Sequence, residues 1–359
     1  MVRFARFASL AAAFACVGPA LSPAVTHADP LPAKDSSSAS SISHQLGFSH
    51  GTLYLYTGNS LYDVDLTDRT DPGFNLVATG FESALGDARP YEGDFVTAGN
   101  GAAAISYGFS SGGMAIVDLD ALSTQSVPDA TTAVPDFDAA NLFSLAGRAD
   151  GTFYAQAVAA DFSTSTALYR VDPVTGDTAF AADPAAGSGF ASGGIAFDDD
   201  ANLYATAFDF STFPFPDPRG AAHFYRVDAA DLADFEAGGA TPSVTELGTG
   251  LTNGNGEIVA ALGQVYFNTS TGIGQFDPDT GGVTNLVGDI TDPDLFSYGN
   301  TQPYNGLAFD PSAQELIFAR YDTSTGGYVL DSLVVPEPGT GLVVLMGLGL
   351  AAARRSRKA

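Results

Sequence analysis

The sequence predicts an all-β chain of six like units, each a small antiparallel sheet of three or four strands, arranged as an array. Three observations predict it. The first is a landmark that recurs as Val64-Asp65, Val117-Asp118, Val171-Asp172, Val227-Asp228, Phe276-Asp277 and Leu330-Asp331, with Asp-to-Asp steps of 53, 54, 56, 49 and 54 residues. The second runs in step with it: Leu53-Tyr54, Phe153-Tyr154, Leu203-Tyr204 and Val265-Tyr266, with weaker echoes at Ile105-Ser106 and Leu316-Ile317. The third is composition, 45% hydrophobic, 15% charged and 41 glycines, which suits short strands joined by tight turns. A period of about 50 residues belongs to repeat architectures. A single sheet of that size cannot cover both of its faces, so the units must stack on one another.

The N-terminal residues 1–28 read as a secretory signal: Arg3 and Arg6, an apolar run from Phe7 to Val17, and small residues ending Thr26-His27-Ala28, with cleavage expected after Ala28. Cys16 is the one cysteine and lies in that run, so the mature chain is expected to hold no disulfide or cysteine metal site. Residues 29–46, rich in serine, read as a flexible lead-in. The body spans 47–334. Its units run Gly47 to Gly80, Asp94 to Val127, Leu142 to Ala182, Gly194 to Gly250, Glu257 to Asp289 and Gly306 to Val335. The fourth carries an insertion, Phe208 to Ala221, between its second and third strands, and the sixth stops before an obvious fourth strand. Turns are spelled by Asp172-Pro173-Val174-Thr175-Gly176 and Asp277-Pro278-Asp279-Thr280-Gly281. In each the Asp side chain accepts backbone N–H groups, Pro presets φ, and Gly takes the positive φ. Two stacked sandwiches are the rival architecture, but they would not space the aspartates so evenly.

Gly194-Ile195-Ala196-Phe197-Asp198, Gly306-Leu307-Ala308-Phe309-Asp310 and Tyr169-Arg170-Val171-Asp172-Pro173 resemble the blades of NHL-type and gluconolactonase-type β-propellers. The resemblance implies a six-bladed β-propeller over the body, flanked by an N-terminal signal helix and a short C-terminal apolar helix. The tail, 335–359, has three parts: Val335-Pro336-Glu337-Pro338, an uncharged run from Gly339 to Ala353, and a basic end with Arg354, Arg355, Arg357 and Lys358. The run is shorter than the ~20 residues of a stable spanning helix. This tail resembles the PEP-CTERM sorting signal. That likeness implies an exosortase as partner, transient anchoring in the inner membrane, and release to the envelope surface or medium. Exopolysaccharide or surface proteins are the further partners it implies. An ordinary tail anchor is the alternative.

Fourteen basic residues stand against 41 acidic ones, a formal charge of -27, and six of the 14 cations lie in the two terminal segments, leaving eight for the body. So acidic a surface repels nucleic acid and anionic lipid. No G-x-S-x-G, P-loop or paired-Cys motif is present. A propeller lactonase needs acidic and Asn side chains at the inner strand ends, and Glu92, Asn141, Glu257 and Asn305 are the candidates by position; capping of strand ends is their ordinary role. Asp198 and Asp200, or Asp63 and Asp65, offer oxygen ligands to a cation such as calcium, without a complete calcium-loop pattern; solvated turns are the alternative. Phe208, Phe210, Phe213 and Phe215 are candidates for stacking on sugar rings or docking a partner; folding over the blade edge is the alternative. The expectation is an exported surface or matrix protein with no cofactor, its propeller a binding or structural module. The other reading is a secreted metal-dependent hydrolase or lactonase using the propeller channel.

Overall fold

A computed structural model describes residues 25–33, 35, 44–68, 71–81, 91–108, 113–127, 140–159, 167–172, 177–182, 190–209, 222–251, 257–269, 271–290 and 304–335. They form six antiparallel sheets of four strands each. The innermost strands are Gln45–Ser49, Tyr91–Thr97, Ala140–Gly147, Phe190–Phe197, Ile258–Ala261 and Tyr304–Asp310. Each packs against the innermost strands of the units before and after it, and Tyr304–Asp310 returns to Gln45–Ser49. The sheets therefore close a ring, and the chain is a six-bladed β-propeller. Blade three shows the plan, with Ala140–Gly147, Phe153–Ala159, Ala167–Val171 and Thr178–Ala182 paired in that order from axis to rim.

The hydrophobic core lies between blades. Six apolar clusters each draw on two adjacent blades, and the one between blades six and one joins Ile317, Ala319 and Leu330 to Leu46, Leu53 and Leu55. Both faces of a second strand meet a neighbour, so Leu316, Ile317, Phe318 and Ala319 are all buried in succession. The rim strands Gly73–Thr79 and Gly282–Gly288 are half-buried or exposed throughout. Phe224 of blade four lies flat on Phe276 of blade five, with ring centroids 4.0 Å apart. Burying one such side chain contributes roughly 1.5–3 kcal/mol.

Register places most of the sequence landmarks together. Leu53, Phe153, Leu203 and Val265 pair with Val64, Val171, Val227 and Phe276. Two landmarks sit elsewhere. In blade two the partner of Val117 is Ala103, so the equivalent pair is Ala103-Ala104 and Ile105-Ser106 falls two residues late. A two-residue slip keeps the strand face, which makes the false match easy. In blade six Leu316 pairs with Leu333, so Leu330-Asp331 falls three residues early. Asp331 is instead a buried acid paired with Arg320.

The fourth strand of blade six comes from the other end of the chain. Val25–Pro30 pairs antiparallel with Gly327–Val334, Val25 opposite Ser332, Thr26 opposite Asp331 and Pro30 opposite Val329. Leu31 follows, buried, and its N–H donates to the Tyr328 carbonyl at 2.7 Å. The Asp35 carboxylate then accepts from Thr57 Oγ1 at 2.8 Å, from the Asn59 N–H at 3.1 Å and from Ser60 Oγ. The described part of the serine-rich segment is thus held to blades six and one, by contacts that its composition does not announce.

All inner strands run in one direction along the axis, so the turns that follow them share one end of the ring, the lower end. Val335 lies there, its N–H donating to the Gln314 carbonyl at 2.8 Å. Val25, paired with Ser332, lies there as well. The two terminal helices expected from the sequence lie outside the described residues. Among the described residues no helix is long and apolar enough to cross a membrane. A helix that composition did not foretell, Ala229–Glu236, fills the turn between the third and fourth strands of blade four. Its first free N–H, that of Ala229, donates to Asn202 Oδ1 at 3.0 Å, and Gly238 at φ 88° follows its last turn. Arg148 of blade three bridges Glu236 at 2.9 Å and Asp150 at 2.7 Å, and the Tyr154 hydroxyl donates to Glu236 at 2.7 Å.

Candidate functional site

Four inner strands carry a bulge at one depth, between Glu92 and Phe95, Leu142 and Ser144, Ser192 and Ile195, and Asn305 and Leu307. A bulge bends its strand and re-aims a side chain. The residues brought to this level are Asp94, Ser144, Gly194 and Gly306, and Glu257, just before Ile258–Ala261, holds the same place in blade five. At Gly306, φ 61°, a Cβ would meet the His44 carbonyl oxygen at 2.5 Å, so only glycine fits.

Hydrogen bonds at this level run from blade to blade. The Ile195 N–H donates to Ser144 Oγ at 3.0 Å. Ser144 Oγ donates in turn to Asp94 Oδ2 at 3.2 Å, and the Leu145 N–H donates to the same oxygen at 2.9 Å. The Asp94 N–H donates to Ser106 Oγ at 2.8 Å, which fixes the acid in its own blade. Glu257 is fixed by its backbone, through its N–H to Asn268 Oδ1 at 3.0 Å and the Asn268 N–H to its carbonyl at 3.1 Å.

Blades two and five stand opposite each other in a ring of six, so Asp94 and Glu257 face across the axis. A cavity of about 470 Å³ follows that axis, from turns at His50, Asp199 and Ser312 inward to Asp94, Ser144 and Glu257. Burial pushes Asp94 up to about 6, against the pull of its bonds to Leu145, Phe95 and Ser144. Burial raises Glu257 well above the usual carboxylate range, and the charge of Asp94 raises it further. Glu257 as a residue is half-buried, but both carboxylate oxygens are out of solvent. The Leu307 N–H lies near enough to favour the ionised form, yet among the described residues neither oxygen has a hydrogen bond of full geometry. Two like charges in so dry a place resist full ionisation, and the pair holds a proton more firmly than free carboxylates do.

Of the four acidic and amide candidates, Glu257 alone is brought to the cavity by a described side chain. Asn305 is buried and donates from Nδ2 to the Tyr328 hydroxyl at 2.7 Å, a clasp within blade six. Glu92 and Asn141 lie on inner strands, with side chains outside the described residues. Phe208 lies on the second strand of blade four, its side chain likewise outside, as are Phe210, Phe213 and Phe215 altogether. Ala28 sits on the closing strand and Val335 is buried at its end of blade six. Pro336, Glu337, Pro338, Arg354, Arg355 and Arg357 lie outside the described residues.

Asp198 spends its carboxylate on its own turn, accepting from the N–H groups of Asp200 at 3.0 Å and Asn202 at 2.8 Å and from Asn202 Nδ2 at 3.0 Å. The same device recurs at Asp65, Asp118, Asp277, Asp310 and Asp322. Among the described residues no group of three or more His, Cys, Asp or Glu is placed to hold a metal ion. Asp94 escaped the sequence reading, although a signal was there. Gly93-Asp94-Phe95-Val96-Thr97-Ala98 and Gly256-Glu257-Ile258-Val259-Ala260-Ala261 spell one pattern of glycine, acid, apolar residue and valine.

Fold and channel together define a six-bladed β-propeller with an acidic pair facing across its axis. Residues 334–358 match the PEP-CTERM protein-sorting motif. Such a motif implies export, transient membrane anchoring and processing by an exosortase. Among solved structures the chain is similar to a provisionally designated gluconolactonase, at 12% identity and TM-score 0.52, covering 88% of this chain and 93% of that one. It is also similar to a protein of unknown function from Bacteroides thetaiotaomicron, at 11% identity and TM-score 0.50, covering 82% and 70%. A gluconolactonase from Xanthomonas campestris matches at 16% identity and TM-score 0.49, covering 89% and 99%. At these identities the likeness is one of fold. No curated protein matches the chain.

Proposed function

We propose that the protein is an exosortase-sorted surface or matrix component whose propeller is a binding module, with Asp94 and Glu257 as its contact for a cation or cationic ligand in the axial channel. The observation that carries this is the Glu257 carboxylate, out of solvent, without a well-formed hydrogen bond among the described residues and opposite a second buried acid. An acid so placed destabilises the fold until a partner neutralises it. Carboxylate oxygens suit a hard cation, and calcium takes 6–8 oxygen ligands. The two acids would supply a minority of these, with water or a bound ligand giving the rest. Titration calorimetry of the processed protein with calcium and manganese chlorides tests the proposal. Binding near one ion per chain, lost in Glu257→Gln and kept in Asp198→Asn, is the expected result. Equal binding by wild type and Glu257→Gln, or binding by neither, overturns it.

A second reading uses the same groups for hydrolysis of a lactone or ester. What favours it is Asp94, held to about 6 beside the cavity, where a carboxyl group can exchange a proton near neutral pH. A cation, when bound, would polarise the substrate carbonyl. Turnover on a lactone and ester panel that falls with Glu257→Gln and tracks the ion supports this reading. Ion binding without turnover leaves the binding module.

A further inference from the structure

We infer that signal peptidase cuts this chain after Ala24, so that the mature protein begins at Val25 and its first six residues are the strand that closes the ring. The inference rests on the export reading above and goes beyond it. Past Gly18-Pro19-Ala20, which abuts the apolar run ending at Val17, and Ala20-Leu21-Ser22, which Pro23 follows, two tripeptides have small residues one and three places before a cut, Ser22-Pro23-Ala24 and Thr26-His27-Ala28. Sequence alone favours the second because it stands at the end of the small-residue stretch. The fold separates them.

A cut after Ala28 removes Val25 and Thr26, which make two of the three residue pairings that hold the closing strand to Gly327–Val334. The backbone they leave belongs to Ser332 and Asp331, now 4% and 2% exposed. Blade six would then be a three-stranded sheet with an open edge, a template for unwanted pairing. A cut after Ala24 spares the strand whole, since Val25 is its first residue. It also sets the new N-terminus opposite Ser332, three residues before Val335. Both membrane-borne segments thus leave the lower end of the same blade, and both can be removed without taking a paired residue from it.

N-terminal sequencing of the protein recovered from the envelope or medium tests this, and Val25 as first residue is expected. Asp29 as first residue overturns the assignment and leaves export intact, whereas an exported chain that still begins at Met1 overturns both. Ala24→Leu is expected to accumulate precursor, while Ala28→Leu still yields a chain starting at Val25; the reverse pattern overturns the assignment. Chains expressed from Val25 and from Asp29 separate the structural half, with a Tm lower by about 5 °C expected for the shorter one. Equal melting of the two overturns the role of the strand.

Discussion

Replacing Glu257 by Gln keeps the shape of the side chain and removes one of two buried acids that face each other across the axis. One pKa unit corresponds to about 1.36 kcal/mol. Asp94, moved from an ordinary 3.8 to about 6, therefore carries about 3 kcal/mol of pH-linked stability. Because the folded value is the higher one, that stability is fully present below about pH 4 and is lost as the pH rises through 6. Glu257 moves in the same direction, for burial and for the charge of Asp94. At pH 8 in chelator the wild type bears both penalties, and the variant sheds the one at 257 and the repulsion across the axis. Relieving one unsatisfied buried polar group is worth about 2 kcal/mol, or about 5 °C in Tm for a domain of this size, in favour of the variant. The assay is thermal melting of wild type and Glu257→Gln from pH 4.5 to 8, with chelator and with added calcium. The variant is expected to melt higher at pH 8 in chelator and to show a shallower slope between pH 5 and 8. Calcium is expected to close the gap by stabilising the wild type alone. A variant that melts below wild type at pH 8 in chelator, with an unchanged slope, refutes the reasoning.

Ser144→Ala removes the hydroxyl between the Ile195 N–H and Asp94 and leaves that N–H unpaired. A loss of about 1–2 kcal/mol is expected, with the acid-side stabilisation extending to higher pH, since Asp94 loses a donor to its ionised form; melts across pH read both. Arg148→Ala strips the guanidinium from Glu236, whose side chain is only 18% exposed, and about 2 kcal/mol is expected to go. Hydrogen exchange should then quicken in Ala229–Glu236 while blade two keeps its protection. In cells lacking the exosortase, the precursor is expected to keep its tail and remain with the inner membrane, as size and fractionation will show. Within that precursor the lower end of the ring, where Val335 leaves blade six, is expected to face the bilayer, so a Cys placed at Ser324, at the upper end, should react with a bulky maleimide faster than one placed at Asp120. Equal rates count against the orientation.

The period of the aspartate landmark, the Asp-Pro and Gly turn chemistry and the tripartite tail are local patterns, and local patterns survive in a sequence. From them the all-β class, the blade number, the insertion site and the sorting motif were legible. Glu257 was legible as a residue at an inner strand end. Asp94 was not singled out, because its significance depends on a bulge and on facing Glu257 from three blades away. Ring closure was hidden for a similar reason: Val25–Pro30 reads as the end of a signal and the start of a flexible lead-in, and only its pairing with Gly327–Val334 shows a strand. What the chain determined by itself is the strand pairing within most blades, whose partners lie close along the chain. Tertiary structure decided the contacts that closing the circle creates, the seam and the axial pair, since proximity there comes from the geometry of six sheets about an axis and not from spacing along the chain.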